Sequence, residues 1–269
     1  MSEQPTERGA AIEVLYEDNH LLAVVKPPGI PSQEDESGDP DMLTLLKADL
    51  KARYNKPGNV YLGLVHRLDR PVGGAMLFAK TSKAASRLSE AVRSRSFGKT
   101  YAAVLDGLPQ RKSGSLRHYL LKDAKTNTVR AYDRAVTGAK EALLDYEIIA
   151  SGDGHALAAI RLHTGRSHQI RVQMATLGTP LAGDRKYGGG ATRGGASERP
   201  SGSRNAVQHS TGASGLIVPE IALWSTFIAV PHPVTKELLI IRSLPPQDGA
   251  WSLWTPAQLS AAADRFVDD

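Results

Sequence analysis

Three short segments of the chain bring together residue types that can do chemistry. In His66-Arg67-Leu68-Asp69-Arg70-Pro71-Val72-Gly73-Gly74 a single acid stands between two arginines, on a stretch that ends in proline and two glycines. Such a loop suits close approach of the backbone to a ligand. The flanking cations favour an ionised Asp69, which fits a nucleophile better than a general acid. A plain surface salt-bridge cluster would use the same residue types. A second segment, Arg161-Leu162-His163-Thr164-Gly165-Arg166-Ser167-His168-Gln169-Ile170-Arg171, puts a glycine turn and several donors at the start of a helical pattern, where backbone N–H groups favour anions. No third ligand of a suitable type accompanies its histidines, so a structural or phosphate-binding role outweighs zinc. The third, Phe97-Gly98-Lys99-Thr100-Tyr101, sets a phenol at the head of a strand just after a basic helix end. A lone strand tyrosine is by default a core residue.

These segments need a frame that brings them together. Residues 12–16 and 20–25 are β-rich runs separated by Glu17-Asp18-Asn19, a hairpin pattern. Lys26-Pro27-Pro28-Gly29 breaks the second run, and 31–41 is a polar loop. Asp41 can cap a helix whose apolar stripe is Leu43, Leu46, Leu50 and Tyr54. Residues 61–66 and 75–79 read as strands on either side of the 67–74 loop. Ser82 can cap a second helix that turns Ala85, Leu88 and Val92 inward, and a strand at 100–105 follows. Further β-rich runs come at 116–121, 128–135, 142–149 and 156–162. Ser167 is placed to cap a helix that buries Ile170, Met174 and Leu177 and stops at Gly178.

Residues 188–215, rich in Gly, Ser and Arg, read as a mobile insertion, because β-rich sequence resumes at 221–230 and 238–241. Thr255-Pro256 starts a short terminal helix to about Phe266. Strands outnumber helices and come in consecutive groups. The predicted class is therefore α+β, a mainly antiparallel mixed sheet with flanking helices. The expected organisation is a flexible tail at 1–11, one domain over 12–245 and a C-terminal extension at 246–269.

With 269 residues, 41% of them hydrophobic, the chain can bury a sizeable core. It has no cysteine, which excludes disulfides, thiolate nucleophiles and zinc–sulfur sites. No apolar run is long enough for a membrane helix, and the polar opening MSEQPTERGA resembles neither a secretory signal nor a transit peptide. A cytoplasmic monomer is expected. The net charge of +5 suits a polyanionic partner, and the basic residues gather at Arg67, Arg70, Arg93, Arg95, Lys99, Arg166 and Arg171. Aromatic residues, at 6%, are too sparse for a surface built mainly from stacking platforms.

Taken in order, the segments resemble the motifs of the RluA branch of pseudouridine synthases. His66–Gly74 is similar to the signature whose aspartate is the nucleophile. Lys99-Thr100-Tyr101 resembles the following motif with its active-site tyrosine. Thr164–Arg171 resembles a third motif, whose last arginine pairs with the aspartate. Gly183-Asp184-Arg185-Lys186-Tyr187-Gly188 looks like the continuation, and Tyr16-Glu17-Asp18 with Lys26-Pro27-Pro28-Gly29 is similar to the opening motif. The likeness runs from about Ile12 to Pro245. It departs at Val72-Gly73, where the family more often has Thr-Ser, and in the long insertion.

The resemblance implies a pseudouridine synthase catalytic fold, here without an S4 domain, and an RNA substrate, ribosomal RNA before transfer RNA. It implies Asp69, Tyr101 and Arg171 as catalytic residues, with Arg171 paired to Asp69; the fork of a guanidinium then predicts a bidentate hold on that carboxylate. His66, Arg67, Arg70, Lys99, Arg166, His168 and Gln169 are the expected substrate contacts. The isomerisation involves neither redox change nor phosphoryl transfer, so no cofactor or metal is expected. A non-catalytic RNA-binding protein of the same fold and a hydrolase pairing Asp69 with a histidine base are the rival readings.

Overall fold

A computed structural model describes residues 12–188 and 221–267; the expected tail at 1–11 and nearly all of the 188–215 insertion lie outside the described residues. Val14–Glu17 (β1) and Leu21–Lys26 (β2) form the expected antiparallel hairpin. Met42–Arg53 (α1), Gly63–Leu64 (β3), Gly73–Ala79 (β4) and Ser82–Arg93 (α2) follow. Then come Gly98–Asp106 (β5), Ser113–Asp123 (β6), Thr128–Tyr132 (β7), Lys140–Gly152 (β8) and His155–Leu162 (β9). Gln169–Thr176 (α3), Leu223–Pro231 (β10), Leu238–Arg242 (β11) and Pro256–Asp264 (α4) complete the order. Among the described residues the strands make one sheet in the order β1-β2-β4-β10-β5-β9-β8-β6-β7, with β11 beside β10 and β3 beside β4. Only β4 and β10 run parallel, so the class is the expected α+β with a mainly antiparallel mixed sheet.

Strand alternation decides which helix covers which face. Leu21, Ala23, Ala75, Leu77 and Ala79 pack with Ala84, Leu88 and Ala91 of α2. Their alternate neighbours Leu22, Val24, Met76 and Phe78 pack with Met42, Leu46 and Leu50 of α1. Both faces being covered explains why β2 and β4 are unbroken apolar runs rather than alternating ones. Further along, Tyr101, Ala103, Ala158 and Ile160 meet Ile170 and Met174 of α3, together with Leu68 and Val72 of the Asp69 loop. Ala102, Val104 and Leu157 face the other way, onto Trp224, Trp251, Trp254 and Leu259. The C-terminal residues thus close the second face of the sheet. Among the described residues no helix is long and apolar enough to cross a membrane.

Several helix details differ from the sequence reading. Asp41 caps α1 as expected, accepting from Leu43 N–H at 2.9 Å and Thr44 N–H at 3.2 Å. The buried stripe is Met42, Leu46 and Leu50, and Tyr54 ends the helix with half its surface exposed. Asn55 turns the chain there with a φ of 45°. In α2 the cap is Thr81, not Ser82; its hydroxyl accepts from Ala84 N–H at 3.1 Å. The inward row is accordingly Ala84, Leu88 and Ala91, while Val92 is exposed. The strand expected at 61–66 shrinks to the two residues of β3, because the chain leaves the sheet early to build the 65–72 loop.

Candidate active site

Asp69 sits on the loop between β3 and β4, and that loop is fastened from three sides. Within it, Val72 N–H donates to Asp69 O at 2.9 Å. Below it, Ser32 Oγ donates to Leu68 O at 2.8 Å and accepts from Leu68 N–H at 3.1 Å. Lys26, fully buried, donates its ammonium to Pro27 O at 2.9 Å and Arg70 O at 3.0 Å, while Gly29 N–H donates to Arg70 O at 2.8 Å. The Lys26–Gly29 segment is therefore the clamp under the aspartate loop. At the loop's end the glycines serve β10. A Cβ on Gly73 would strike the Trp224 ring, and Gly74, at φ 110°, would meet the Ser225 backbone. These two glycines permit the close approach of β4 and β10, a role that the sequence pattern alone does not distinguish from approach to a ligand.

Arg171, on the first turn of α3, is buried and held on several sides. Its Nε and Nη2 donate to Asp184 at 2.7 and 2.8 Å, a bidentate pair in which the Asp184 side chain is fully buried. Its guanidinium carbon lies 5.1 Å from the centre of the Tyr187 ring. The remaining nitrogen, Nη1, is 3.5 Å from Asp69 Oδ2. This corrects the expected bidentate grip on Asp69. Asp184 takes the two-pronged contact because it is wholly buried and must be neutralised, whereas the Asp69 side chain keeps 28% of its surface exposed. Asp184 also accepts from Lys186 and Tyr187 N–H at 3.0 and 3.2 Å, which folds the Gly183–Gly188 turn around the arginine.

His168, not Ser167, precedes α3. It adopts a left-handed φ of 51° and makes no side-chain cap bond. Gln169 stabilises the turn instead, its Oε1 accepting from Thr164 Oγ1 at 2.9 Å and Arg166 N–H at 3.0 Å, and its Nε2 donating to Leu143 O at 3.1 Å. The His168 ring meets the Tyr187 hydroxyl through Nδ1 at 2.6 Å. Burial lowers its pKa to about 4, with the Asp69 charge acting against that shift and the Arg171 charge adding to it.

Around Asp69 opens a cleft of about 910 Å³ whose described lining includes Arg67, Arg93, Arg95, Lys99, Arg161, Arg166 and Arg171, with Asp69 as its one carboxylate. Tyr101, on β5, lies against this cleft with only 5% of its surface exposed. Burial, and after it the Asp69 charge, raises the pKa of its phenol, so the hydroxyl stays protonated. Burial also lowers the pKa of the Lys99 ammonium. That ammonium lies 5.6 Å from the Phe97 ring centre, and a Cβ on Gly165 would come within 3.3 Å of it. A cleft of this charge can hold a polyanion, and its lone carboxylate is placed to act on what the cations hold. Among the described residues no group of three or more His, Asp or Glu is arranged to hold a metal ion.

Asp69, Tyr101, Arg171, His66, Arg67, Lys99, Arg166, His168 and Gln169 all border the cleft. Arg70 is not among the lining residues: it donates to Gly29 O at 2.9 Å and pairs with Asp39. His66 Nε2 accepts from Leu77 N–H at 2.9 Å and its ring tilts against Phe97 at 5.1 Å, so it props the loop. Burial lowers its pKa to about 3, helped by the Lys99 charge. The sequence reading gave no role to Lys26, Asp184 or Tyr187. Their signal was present in the quoted motifs around them, but nothing in a linear pattern says that Asp184 rather than Asp69 fills the fork of Arg171.

Known proteins resemble this chain along most of its length. The family model described as RNA pseudouridylate synthase matches residues 20–176. The uncharacterized RNA pseudouridine synthase YhcT of Bacillus subtilis (strain 168) is 30% identical over 240 residues, covering 88% of this chain and 70% of that protein. The ribosomal large subunit pseudouridine synthase D of Pseudomonas aeruginosa is 32% identical over 248 residues, covering 90% and 71%. Among solved structures, human RNA pseudouridylate synthase domain containing 4 superposes with a TM-score of 0.68 at 22% identity, over 92% of this chain and 93% of that one. That likeness bears on the fold.

Proposed function

The chain belongs to the RNA pseudouridylate synthase family, and on that premise we propose that it isomerises selected uridines of structured RNA through the carboxylate of Asp69. The observation that carries the assignment is that Asp69 is the one carboxylate among the described residues lining a cleft with seven cations, 3.5 Å from the Arg171 guanidinium. Ribosomal RNA is the first substrate class, on the strength of the relative named for the large ribosomal subunit, and transfer RNA the second. The enzyme works in the cytoplasm, its catalytic domain spanning 12–245 with 246–269 as an extension.

In this reading the target base leaves its stack, at a cost of roughly a few kcal/mol, and enters the cleft. Arg67, Lys99 and Arg166 hold the flanking phosphates. Asp69 acts in breaking the bond between ribose C1′ and uracil N1. The base turns, C5 bonds to C1′, the proton on C5 is lost and N1 takes one up, so that atoms and charge balance. Arg171 orients Asp69 while Asp184 and Tyr187 orient Arg171. Tyr101 packs against the turned uracil and, as a protonated phenol, takes part in the C5 proton transfer as a hydrogen-bonding relay rather than as a free phenolate. His168 and Gln169 shape the turn at the head of α3. The test is product analysis on large-subunit ribosomal RNA and on transfer RNA transcripts. Pseudouridine at defined positions supports the proposal, whereas free uracil or unmodified, merely bound RNA would replace it with one of the rival readings.

A further inference from the structure

The chain beyond α4 turns back to the cleft. Arg265 donates from Nε to Glu147 Oε2 at 2.7 Å. Phe266 follows, with the Arg161 guanidinium carbon 4.9 Å and the Arg265 guanidinium carbon 5.2 Å from its ring centre. Phe266 and Val267 line the same cleft as Asp69 and Arg171. These residues lie far beyond the 20–176 span that the family model matches.

Arg161 is held from a second direction. Its Nη2 is 3.0 Å from Asp145 Oδ2, and the same carboxylate meets His163 Nε2 at 2.6 Å and accepts from Ser115 Oγ at 2.5 Å. Burial alone would raise the Asp145 pKa, but the bonds from Ser115, His163 and Arg161 outweigh it and hold the carboxyl at about 2. Asp145 and Glu147 stand two residues apart on β8, hence on one face of the strand. Two carboxylates of one strand therefore anchor two arginines, and the arginines contact one ring, that of Phe266, which with Arg161 lines the cleft.

We propose that Phe266 and Val267 form part of the RNA-binding cleft and that Phe266 is a positioning residue, fixing Arg161 beside His163 where the two meet phosphates flanking the target uridine. The inference rests on the reading of the cleft as an RNA site. An arginine loses rotamer freedom when it grips a phosphate, and one already pinned by a ring and a carboxylate loses less. The benefit belongs to substrate binding, not to the chemical step.

The test uses the full chain and its Phe266→Ala, Phe266→Tyr, Arg161→Gln and doubly substituted Phe266→Ala/Arg161→Gln forms. Each is assayed for RNA affinity, KM, kcat and melting temperature. Phe266→Ala should raise KM for RNA roughly three- to tenfold, the range of a partly desolvated cation–π contact, with kcat within about twofold of the parent. Phe266→Tyr, which keeps the ring, should restore the parental KM. The double form should bind no worse than Arg161→Gln alone, because Phe266 acts through Arg161. Additive losses in the double form, an unchanged KM in Phe266→Ala, or tighter RNA binding by it would each overturn the proposal. Should Phe266→Ala melt below the assay temperature, Phe266→Leu, which keeps bulk without the ring, takes its place in the cycle. Failure of the underlying reading looks different: the parent would form no pseudouridine, and affinities alone would still report the coupling.

Discussion

Arg171 and Asp184 are joined by two hydrogen bonds, 2.7 and 2.8 Å long, inside a pocket that leaves the arginine side chain 6% exposed and the aspartate fully buried. The third guanidinium nitrogen is thereby directed at Asp69, 3.5 Å away. Breaking one partner of such a pair strands a buried charge, which costs about 3–5 kcal/mol. Asp184→Ala should therefore lower stability by about that amount in a denaturant titration and lower turnover with it. Arg171→Lys keeps the charge but loses the fork, and should lose turnover far more than RNA affinity. Parental kcat in Arg171→Lys would remove the guanidinium from the orientation of Asp69.

Tyr101→Phe keeps the ring that fills the pocket wall, so folding and RNA binding should persist. Turnover should fall by roughly 10²–10⁴-fold, the usual weight of a proton-transfer group. Because burial, then the Asp69 charge, raises the phenol's pKa, it does not ionise between pH 6 and 9. The parent should accordingly show no rise in rate across that window from tyrosine ionisation, and the substituted enzyme should keep the same profile at a lower level. A rising limb that disappears in Tyr101→Phe would show the phenolate to be the active form.

The sheet class and the positions of most strands along the chain are legible because apolar runs between turn signals are local features, as in Leu21–Lys26 and Gly73–Ala79; their order across the sheet is not, since β10 inserts between β4 and β5. Which acid meets which base is not legible either, since pairing depends on burial that spacing does not encode. Asp69 and Asp184 both lie within reach of Arg171, and only the fully buried one demanded two hydrogen bonds. Helix phase was missed for a related reason. Thr81 and Ser82 are both competent caps, and choosing the wrong one exchanges Ala84 and Ala91 for Ala85 and Val92 on the buried face. Of the contacts that the resemblance implies, Arg70 turns to Asp39, whereas His66 borders the cleft and also supports Leu77 N–H, and neither placement is encoded in the linear motif. The role of the C-terminal residues had no signal at all, because Phe266 finds Arg161 only through the packing of α4 on the sheet.

Acid should destabilise the fold in two stages. His66 titrates at about 3 and His168 at about 4, both depressed chiefly by burial. In the unfolded chain they take up protons near 6.5. Their contribution is therefore complete above about pH 6.5 and is lost as the pH falls towards 4 and then 3, at up to about 1.4 kcal/mol per pH unit for each ring. Glu17 and Asp145, both held at about 2, keep their contribution above about pH 4 and lose it only as the pH falls towards 2. The melting temperature should begin to fall below pH 6.5 and fall faster below 4. His66→Gln, which can still accept from Leu77 N–H, should flatten the first stage. A melting temperature level from pH 7 to 4.5 would contradict the neutral buried rings.

Gly74→Ala tests the strand crossing beside the Asp69 loop. At φ 110° and with a new Cβ driven into the Ser225 backbone, the substitution has no relaxed conformation available. Its stability should drop by more than about 1–3 kcal/mol, the usual cost of overpacking, and the protein should accumulate in the insoluble fraction. A melting temperature equal to that of the parent would show that β4 and β10 do not approach this closely.

The most direct measurement is pseudouridine formation by Asp69→Asn, which is nearly isosteric and removes only the charge and the nucleophilic oxygen. Parent and substituted protein should be given the same ribosomal RNA transcript at saturating concentration, with RNA affinity measured alongside. The expected result is a rate at least ~10³-fold lower, with affinity nearly unchanged, as when a nucleophile is deleted from an otherwise intact site. Pseudouridine formed by Asp69→Asn at close to the parental rate would contradict the assignment of Asp69 as the group that does the chemistry.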